Sequence, residues 1–343
     1  MPLLPHSSSE NEPYRAALRH AIRSSKALLE FVGVTSPMLL PEVLQQPDFP
    51  VLVPRGFASR MKYGDPGDPL LRQVLAIPAE LIDAPGFIKD PLAETQTGTG
   101  VNPAPALIKK YHGRALLITT SGCAINCRYC FRRHFPYAEH RDQKHTQALA
   151  AISADSSISE IILSGGDPLL LDDHALATLI EKFEAIPHLK RLRIHSRIPV
   201  VLPERITPQL LSLLKKTTLK TALVIHANHP NELDNQTARA LNDLKQASAL
   251  LLNQSVLLRD VNDSAPVLIS LAEKLYDQSV QPYYLHMPDR VAGTSHFHVN
   301  DEEAKIIYGK MQAHLPGYLL PRLVREIPGE NSKHLLDIQL KDE

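Results

Sequence analysis

The chain has 343 residues, of which 43% are hydrophobic and 22% charged, the ordinary composition of a soluble globular protein. Lys plus Arg and Asp plus Glu both total 37, so the formal net charge is zero, and no stretch is apolar enough for a membrane span. These features argue against a membrane protein and against general electrostatic binding to nucleic acid or an anionic membrane. We expect an enzyme-sized core and a small, locally recognised substrate.

Two features of the sequence predict a cytoplasmic location. The first residues, Met1 to Glu10, lack the basic region and the apolar run of a secretory signal. All three cysteines lie within eight residues. They are too close together for a disulfide framework, and an odd number of cysteines cannot all be paired. The cysteines therefore need a metal or a redox explanation.

Residues 1–104 predict a mainly helical N-terminal extension. This part is rich in proline and polar residues, with a helical pattern at Tyr14 to Val32. A dense run of turn residues, Gly64 to Pro69, interrupts it. We therefore expect this extension to wrap around a larger domain that follows.

After the extension, short apolar runs alternate with helical patterns. We predict strands at Ala115 to Thr119, Glu160 to Ser164, Arg191 to His195, Thr221 to His226, Ala249 to Gln254 and Gln281 to His286. We predict helices at Asp173 to Glu184, Thr207 to Lys216, Asp234 to Gln246 and Ser264 to Asp277. The later strands begin about 30 residues apart, the size of one strand-helix unit in a parallel sheet.

This order predicts an α/β fold with parallel strands. Six units are fewer than the eight of a closed barrel, so we predict an open, partial (β/α)6 barrel, with a doubly wound sheet as the alternative. The barrel is expected to span residues 105–299. Residues 300–343 form a C-terminal segment with a helix at Asp301 to Gln312 and an extended run at Tyr318 to Ile327. Polar segments follow the predicted strands, so we expect one site at the carboxyl ends of the strands.

Cys123, Cys127 and Cys130 are spaced as C-x3-C-x2-C in the loop after the first predicted strand. Three thiolates can bind three irons of a [4Fe–4S] cluster and leave the fourth iron open to another ligand. A structural zinc site with His134 or His140 as fourth ligand is one alternative. A redox pair of Cys127 and Cys130 is another, but it leaves Cys123 unexplained. The spacing favours the cluster.

The cysteine segment, followed after the next strand by Ser164-Gly165-Gly166-Asp167, resembles the radical S-adenosylmethionine (SAM) superfamily. In that superfamily the glycine-rich segment contacts the amino group of the methionine part of SAM. The resemblance therefore implies that Ser164, Gly165, Gly166 and Asp167 bind SAM beside the cluster. It also implies a partial barrel, in agreement with the strand-helix pattern.

A closer resemblance, from about Pro54 to Lys333, is to the lysine 2,3-aminomutases. The segments that carry it are Lys110 to Arg114, Cys127 to Arg133, Asn228 to Glu232 and Asn253 to Arg259. It implies that Lys333 forms a Schiff base with pyridoxal phosphate. It further implies that Tyr111, Arg114 and Gln254 hold that cofactor and that His226 lies against SAM.

The resemblance also implies how a lysine substrate is recognised. The guanidinium of Arg132 suits the substrate carboxylate, because it can form paired hydrogen bonds. Asp289 and Glu326 stand at the positions that meet the terminal ammonium. Glu326 is a departure, since the family's catabolic members have aspartate there, and the longer acid alters the fit of the ammonium or pairs with Arg325.

The implied reaction converts (S)-α-lysine to (R)-β-lysine. Moving an amino group from Cα to Cβ requires removal of an unactivated hydrogen, which no side-chain acid or base can do, so a radical source is needed. The 5'-deoxyadenosyl radical derived from SAM supplies it, with an electron from a reducing flavodoxin or ferredoxin. Pyridoxal phosphate supports the migration of the nitrogen.

Two further departures bear on the biological role. Catabolic members carry a run of glycines before the lysine and a C-terminal extension, whereas this sequence has Gly329-Glu330-Asn331-Ser332 and ends ten residues after Lys333. This form resembles the bacterial enzyme that makes β-lysine for elongation factor P, to which a separate lysyl ligase attaches it. The alternatives are a catabolic lysine, glutamate or arginine aminomutase and a non-enzymatic iron-sulfur or zinc protein.

Overall fold

The computed structural model describes residues 12–34, 43–44, 47–95, 101–139 and 143–336. Its α-helices are α1 (Pro13–Arg19), α2 (Ser25–Phe31), α3 (Arg55–Ala58), α4 (Pro69–Arg72), α5 (Thr146–Ala154), α6 (Asp173–Glu184), α7 (Ile198–Val201), α8 (Pro208–Lys216), α9 (Asn235–Ala247), α10 (Ala265–Asp277) and α11 (Asp301–His314). Its strands are β1 (Leu107–Tyr111), β2 (Arg114–Thr120), β3 (Glu160–Gly165), β4 (Arg191–Ser196), β5 (Lys220–Ile225), β6 (Leu250–Val256), β7 (Gln281–His286), β8 (Arg322–Arg325) and β9 (His334–Leu335). No helix within these ranges combines the length and the apolar character needed to cross a membrane.

The strands form one sheet in sequence order, from β1 at one edge to β9 at the other. Strands β2 to β8 are all parallel, while β1 and β9 pair antiparallel with their neighbours at the two edges. The sheet stays open between β1 and β9 in the described part of the chain. This architecture confirms the predicted α/β partial barrel and excludes the doubly wound alternative, whose strand order would reverse.

The predicted strands and helices of the barrel are confirmed to within a few residues, and the sheet is larger than six strands. The extended run predicted at Tyr318 to Ile327 contains β8, which pairs in parallel with β7. The helical pattern at Tyr14 to Val32 corresponds to two short helices, α1 and α2. The helical conformation is interrupted between α1 and α2, because Ile22 forms a β-bridge with Val53 and Ser24 caps α2.

Local sequence explains where the barrel helices begin. The side chains of Asp172, Thr207 and Asp234 accept hydrogen bonds from backbone N–H groups in the first turns of α6, α8 and α9. Such caps satisfy donors that have no partner inside the helix and contribute about 1 kcal/mol each. The apolar faces of these helices then pack on the sheet, where Leu241 is fully buried. We expect Leu241→Ala to cost about 2–5 kcal/mol.

The N-terminal extension supports the mouth of the barrel. The loop after β2 donates from Asn126 N to Leu52 O at 2.9 Å and from Arg128 N to Gln73 O at 2.8 Å. On the other side of the mouth, Ile88 forms a parallel bridge with Val291, just beyond β7. The extension therefore anchors loops that arise from opposite sides of the sheet.

Candidate active site

The loops at the carboxyl ends of the parallel strands carry most of the predicted site residues. Cys123, Cys127 and Cys130 follow β2, Asp167 follows β3, and His226 follows β5. Parallel strands end at the same side of a barrel, so these residues share one mouth. Burial and charge in this mouth decide which of them interact.

The three cysteines lie close enough to one another to interact electrostatically. Burial raises the pKa of the Cys130 thiol to about 11, and the neighbouring Cys127 adds to this effect. Burial also raises the pKa of Cys123 well above its usual range, with contributions from Cys130, Asp167 and Cys127. Within the described residues, no group of His, Cys, Asp or Glu side chains has the arrangement of a single-ion site. His140, one predicted alternative ligand, lies outside those residues.

The glycine-rich segment packs directly against the cysteine loop. Gly166 N donates to Thr120 O and Asp167 N to Gly122 O, both at 2.7 Å. A Cβ on Gly166 would stand 1.9 Å from Gly122 O, which no side chain can tolerate. Gly165 has φ of +117°, a conformation that favours glycine. Both glycines are therefore required for the close approach of these two loops.

Asp167 ties the loop after β3 to the loop after β4. Its buried carboxylate accepts hydrogen bonds from Ser196 Oγ at 2.7 Å and from the backbone N–H groups of Arg197 and Ile198 at 2.8 and 3.1 Å. Burial nevertheless raises the pKa of Asp167 to about 6. The carboxylate thus fixes the shape of the mouth through contacts within the chain.

Arg197 connects the cysteine loop to the interior. Its guanidinium donates to Cys127 Sγ, and Nη2 also donates to Gln73 Oε1 at 2.8 Å and to Glu232 Oε2 at 3.2 Å. These contacts are shielded from solvent, since only 6% of the Arg197 side chain and none of the Glu232 side chain is exposed.

His226 and Gln254 meet in the centre of the mouth. Gln254 Nε2 lies 2.8 Å from His226 Nε2, so the amide donates to a neutral ring. Burial, aided by the charge of Arg197, lowers the pKa of His226 to about 3. His226, which is predicted to bind SAM, therefore contacts Gln254, which is predicted to bind pyridoxal phosphate.

Lys333 lies against Tyr284 of β7 and against Glu326, which follows β8. Its Nζ forms an ion pair with Glu326, and only 22% of the Lys333 side chain is exposed. The same Nζ stands 6.0 Å from the centre of the Tyr284 ring. The Arg114 guanidinium stacks 4.5 Å from the centre of the Tyr111 ring, and Tyr111 bonds to Glu326. Three residues predicted to hold pyridoxal phosphate are thus grouped around Glu326, while Gln254 lies with His226.

Arg132, predicted to bind a carboxylate, already pairs with one from the N-terminal extension. Its Nε and Nη2 donate to the two oxygens of Glu94 at 2.7 and 3.0 Å, and its Nη1 donates to Ser164 Oγ at 3.0 Å. Glu94 also lies 2.9 Å from Lys110 Nζ. The predicted substrate residue therefore belongs to a larger ion network.

The two predicted acids differ in charge state. Burial and the charge of Glu326 raise the pKa of Asp289 to about 7. Glu326 is also buried, but Lys333 and Lys110 outweigh that effect and lower its pKa to about 2. Glu326 is thus ionised at neutral pH, and Asp289 is balanced between its two forms. The predicted alternative pairing of Glu326 with Arg325 is not seen, because Arg325 pairs with Asp301.

Comparison with known proteins identifies the family. Residues 117–251 match the Radical SAM superfamily. Over 297 residues the chain is 50% identical to L-lysine 2,3-aminomutase of Escherichia coli (strain K12), a match that covers 86% of this chain and 85% of that protein. The chain belongs to the L-lysine 2,3-aminomutase family. Enzymes of this family are isomerases.

Two other members of the aminomutase family match over nearly their whole length. The protein of Haemophilus influenzae is 45% identical over 328 residues, covering 95% of this chain and 96% of that protein. The protein of Buchnera aphidicola is 42% identical over 336 residues, covering 97% and 98%. Both carry the name L-lysine 2,3-aminomutase. The match therefore includes the N-terminal extension and the C-terminal segment as well as the barrel.

Sequence reasoning missed three charged residues that contact the predicted site residues. Lys110 lies within a segment that carried the family resemblance, and Arg197 directly follows a predicted strand, so both had a signal. Glu94 had none, because it lies in an irregular, proline-containing stretch. Its part in the site depends on the chain folding back over the barrel mouth.

Proposed function

We propose that this protein converts (S)-α-lysine to (R)-β-lysine as a radical SAM and pyridoxal phosphate enzyme. The observation that carries the proposal is the identity of 42–50% to L-lysine 2,3-aminomutases over most of the chain. The structure supports it by collecting three thiols, a largely buried lysine and paired charges in one barrel mouth. When bound, the cluster and SAM would supply a carbon radical, and pyridoxal phosphate would support the migration of the nitrogen.

The cysteine loop fits an iron-sulfur cluster with one open iron. Cys123, Cys127 and Cys130 would each bind one iron as thiolates, and the guanidinium of Arg197 lies beside the sulfur of Cys127. The glycine cradle formed by Gly165 and Gly166 leaves backbone next to the cysteine loop, with no Cβ to fill the space. Ser164 and Asp167 at its two ends complete the segment we assign to SAM, and neutral His226 faces the same region.

Lys333 fits as the residue that binds pyridoxal phosphate. A Schiff base with pyridoxal phosphate needs a lysine amine that the cofactor can reach, and the Lys333 side chain is 22% exposed beside Glu326. Arg114, stacked on Tyr111, offers a cation for the phosphate, and Gln254 offers an amide. Tyr111 shares Glu326 with Lys333, while Gln254 stands beside His226.

The charges suit a substrate with a carboxylate at one end and an ammonium at the other. Arg132 would bind the carboxylate, while Glu326 and Asp289 would receive the ammonium. Glu326 already holds the Lys333 ammonium, which shows that its carboxylate accepts such a partner. An incoming ammonium also favours the ionised form of Asp289, so this acid can pair with the substrate once it is bound.

We further propose that the β-lysine is made in the cytoplasm and attached to elongation factor P by a separate lysyl ligase. The departure from the catabolic glycine run at residues 329–332 supports this role. The electron would come from a reducing flavodoxin or ferredoxin. Free lysine is the substrate in this scheme.

Anaerobic assay with labelled lysine tests the proposal. The reconstituted protein is expected to show brown cluster absorption, a pyridoxal band and conversion to β-lysine. Borohydride should fix pyridoxal phosphate covalently to the wild type and to Lys305→Ala, whose lysine lies on α11, but not to Lys333→Ala. Turnover of glutamate or arginine instead of lysine would favour the catabolic alternative. A colourless protein with bound zinc and no β-lysine would overturn the proposal.

A further inference from the structure

Lys110 joins the two edges of the open barrel. It lies on β1, and its Nζ stands 2.6 Å from Glu326, which follows β8 near the opposite edge. The same Nζ stands 2.9 Å from Glu94 of the N-terminal extension. The Lys110 side chain is only 15% exposed, so water screens these contacts weakly.

The ion pair with Glu94 leaves only one edge of the Arg132 guanidinium available to a ligand. The carboxylate occupies the Nε and Nη2 side of the guanidinium through two hydrogen bonds. The remaining edge consists of Nη1 and Nη2, which can each donate one more proton. Ser164 Oγ accepts from Nη1 and further fixes the plane of the group. A ligand carboxylate would therefore approach Arg132 end-on, in an orientation that Glu94 determines.

All members of this network stay charged near neutral pH. Burial opposes ionisation of Glu94, but Arg132 and Lys110 outweigh it and hold the pKa of Glu94 below its usual value. Burial likewise opposes the charge of Lys110, but Glu94 and Glu326 raise its pKa above its usual value. The contacts are therefore fully ionic, and loss of one charge would leave buried charges without partners.

We propose that Glu94 and Lys110 are positioning residues that determine substrate length, by fixing the separation between Arg132 and Glu326. The inference rests on the proposed function, in which those two residues bind the carboxylate and the ammonium of one substrate. A single ammonium holds both carboxylates, so the two ends of the site cannot move independently. The chain thus selects a diamino acid whose charged groups match that separation.

A network with a purely structural role would behave differently. Buried ion pairs often contribute stability without any role in recognition, and their loss then reduces all activities alike. A length-setting role instead changes the preference between substrates that differ by one methylene. Lysine and ornithine provide that comparison, because ornithine has the same two charged groups on a shorter chain. Discrimination of one methylene is usually worth about 10- to 200-fold.

The decisive experiment compares Lys110→Met with Lys109→Met, the neighbouring residue on β1. Lys109 points to Asp155 and Ser157, away from this network, which makes it a matched control. For each anaerobic, fully loaded protein, kcat/KM and the change in pyridoxal absorption on binding are measured with lysine and with ornithine. Lys110→Met is expected to lower the lysine-to-ornithine ratio about tenfold or more. Lys109→Met should leave the ratio unchanged.

Rescue by a conservative variant separates positioning from folding. Lys110→Arg keeps the positive charge and should retain most of the preference for lysine, whereas Glu94→Gln should lose it like Lys110→Met. An unchanged ratio in Lys110→Met, or an equal loss with both substrates, would overturn the inference. If the wild type itself neither binds nor turns over either diamino acid, the proposed function fails instead.

Discussion

His226 Nε2 accepts a hydrogen bond from Gln254 Nε2 at 2.8 Å, which links the loop after β5 to strand β6 at the centre of the site. The neutral ring can accept because burial keeps its pKa near 3. This contact connects the region we assign to SAM with the region we assign to pyridoxal phosphate. It makes Gln254 the residue whose loss should affect both regions.

We expect Gln254→Leu to lower kcat/KM for lysine by about 10- to 100-fold, because a displaced reacting group loses much of its advantage. The concentrations of SAM and of pyridoxal phosphate needed for half-saturation should both rise. Equilibrium dialysis of the two cofactors measures these effects independently of turnover. A change in pyridoxal phosphate binding alone would contradict the link through His226.

Replacement of Asp289 by Asn should raise the stability of the fold while it lowers the activity. Burial raises the pKa of Asp289 to about 7, from about 3.9 in the unfolded chain. The folded state therefore binds the proton more tightly, and the resulting cost to stability is absent below about pH 4 and grows as the pH rises to about 7. Asp289→Asn removes that cost.

The variant is expected to melt at a higher temperature than the wild type at pH 8 and at nearly the same temperature at pH 4. Lysine turnover should fall at least about 100-fold, since the ammonium loses an ionic partner. Calorimetry at both pH values and an anaerobic assay provide the measurements. A variant less stable than the wild type at pH 8 would show that the ionised carboxylate stabilises the fold.

Gly166→Ala should prevent cluster assembly. The new Cβ would meet Gly122 O at 1.9 Å, so the cysteine loop and the glycine-rich segment must move apart. Overpacking of this kind costs about 1–3 kcal/mol or more. Gly309→Ala is the control, because nothing lies within 4 Å of its Cβ on α11. That change should stabilise the helix by about 0.5–1 kcal/mol.

Iron content after reconstitution and urea unfolding distinguish the two glycine variants. Gly166→Ala is expected to retain a small fraction of the iron found in Gly309→Ala. Full iron content and normal SAM binding in Gly166→Ala would show that the close approach of the two loops is not needed.

Glu80→Gln should destabilise the cysteine loop from a distance. Glu80 pairs with Arg128 and Arg133, and the Arg128 side chain is completely buried. Removal of the carboxylate charge leaves a buried guanidinium uncompensated, at a cost of about 3–5 kcal/mol. Glu30→Gln, which loses only an exposed pair with Lys26, should change stability by less than about 0.5 kcal/mol. Equal unfolding midpoints in urea would contradict this reading.

Local signals in the sequence were sufficient to predict the barrel and the loops that carry its polar motifs. Helix caps such as Asp172 and Asp234 and the apolar runs of the strands act over a few residues, so their effect is visible in order along the chain. Because parallel strands end on one side, the order of the motifs also placed the cysteines and His226 in one mouth. The break between α1 and α2 was not visible, since it depends on the distant Val53.

The pairing of charged side chains could not be predicted, because it depends on how distant parts of the chain fold together. Glu94 reaches Arg132, 38 positions along the chain, and Lys110 reaches Glu326, 216 positions along the chain. The residue type of an ionised side chain does not reveal its partner. Pairing depends on which side chains the fold brings close to it and on how much water remains around the pair. The residues to which we assign the chemistry could therefore be predicted from the sequence, whereas the ion network between them forms only on folding.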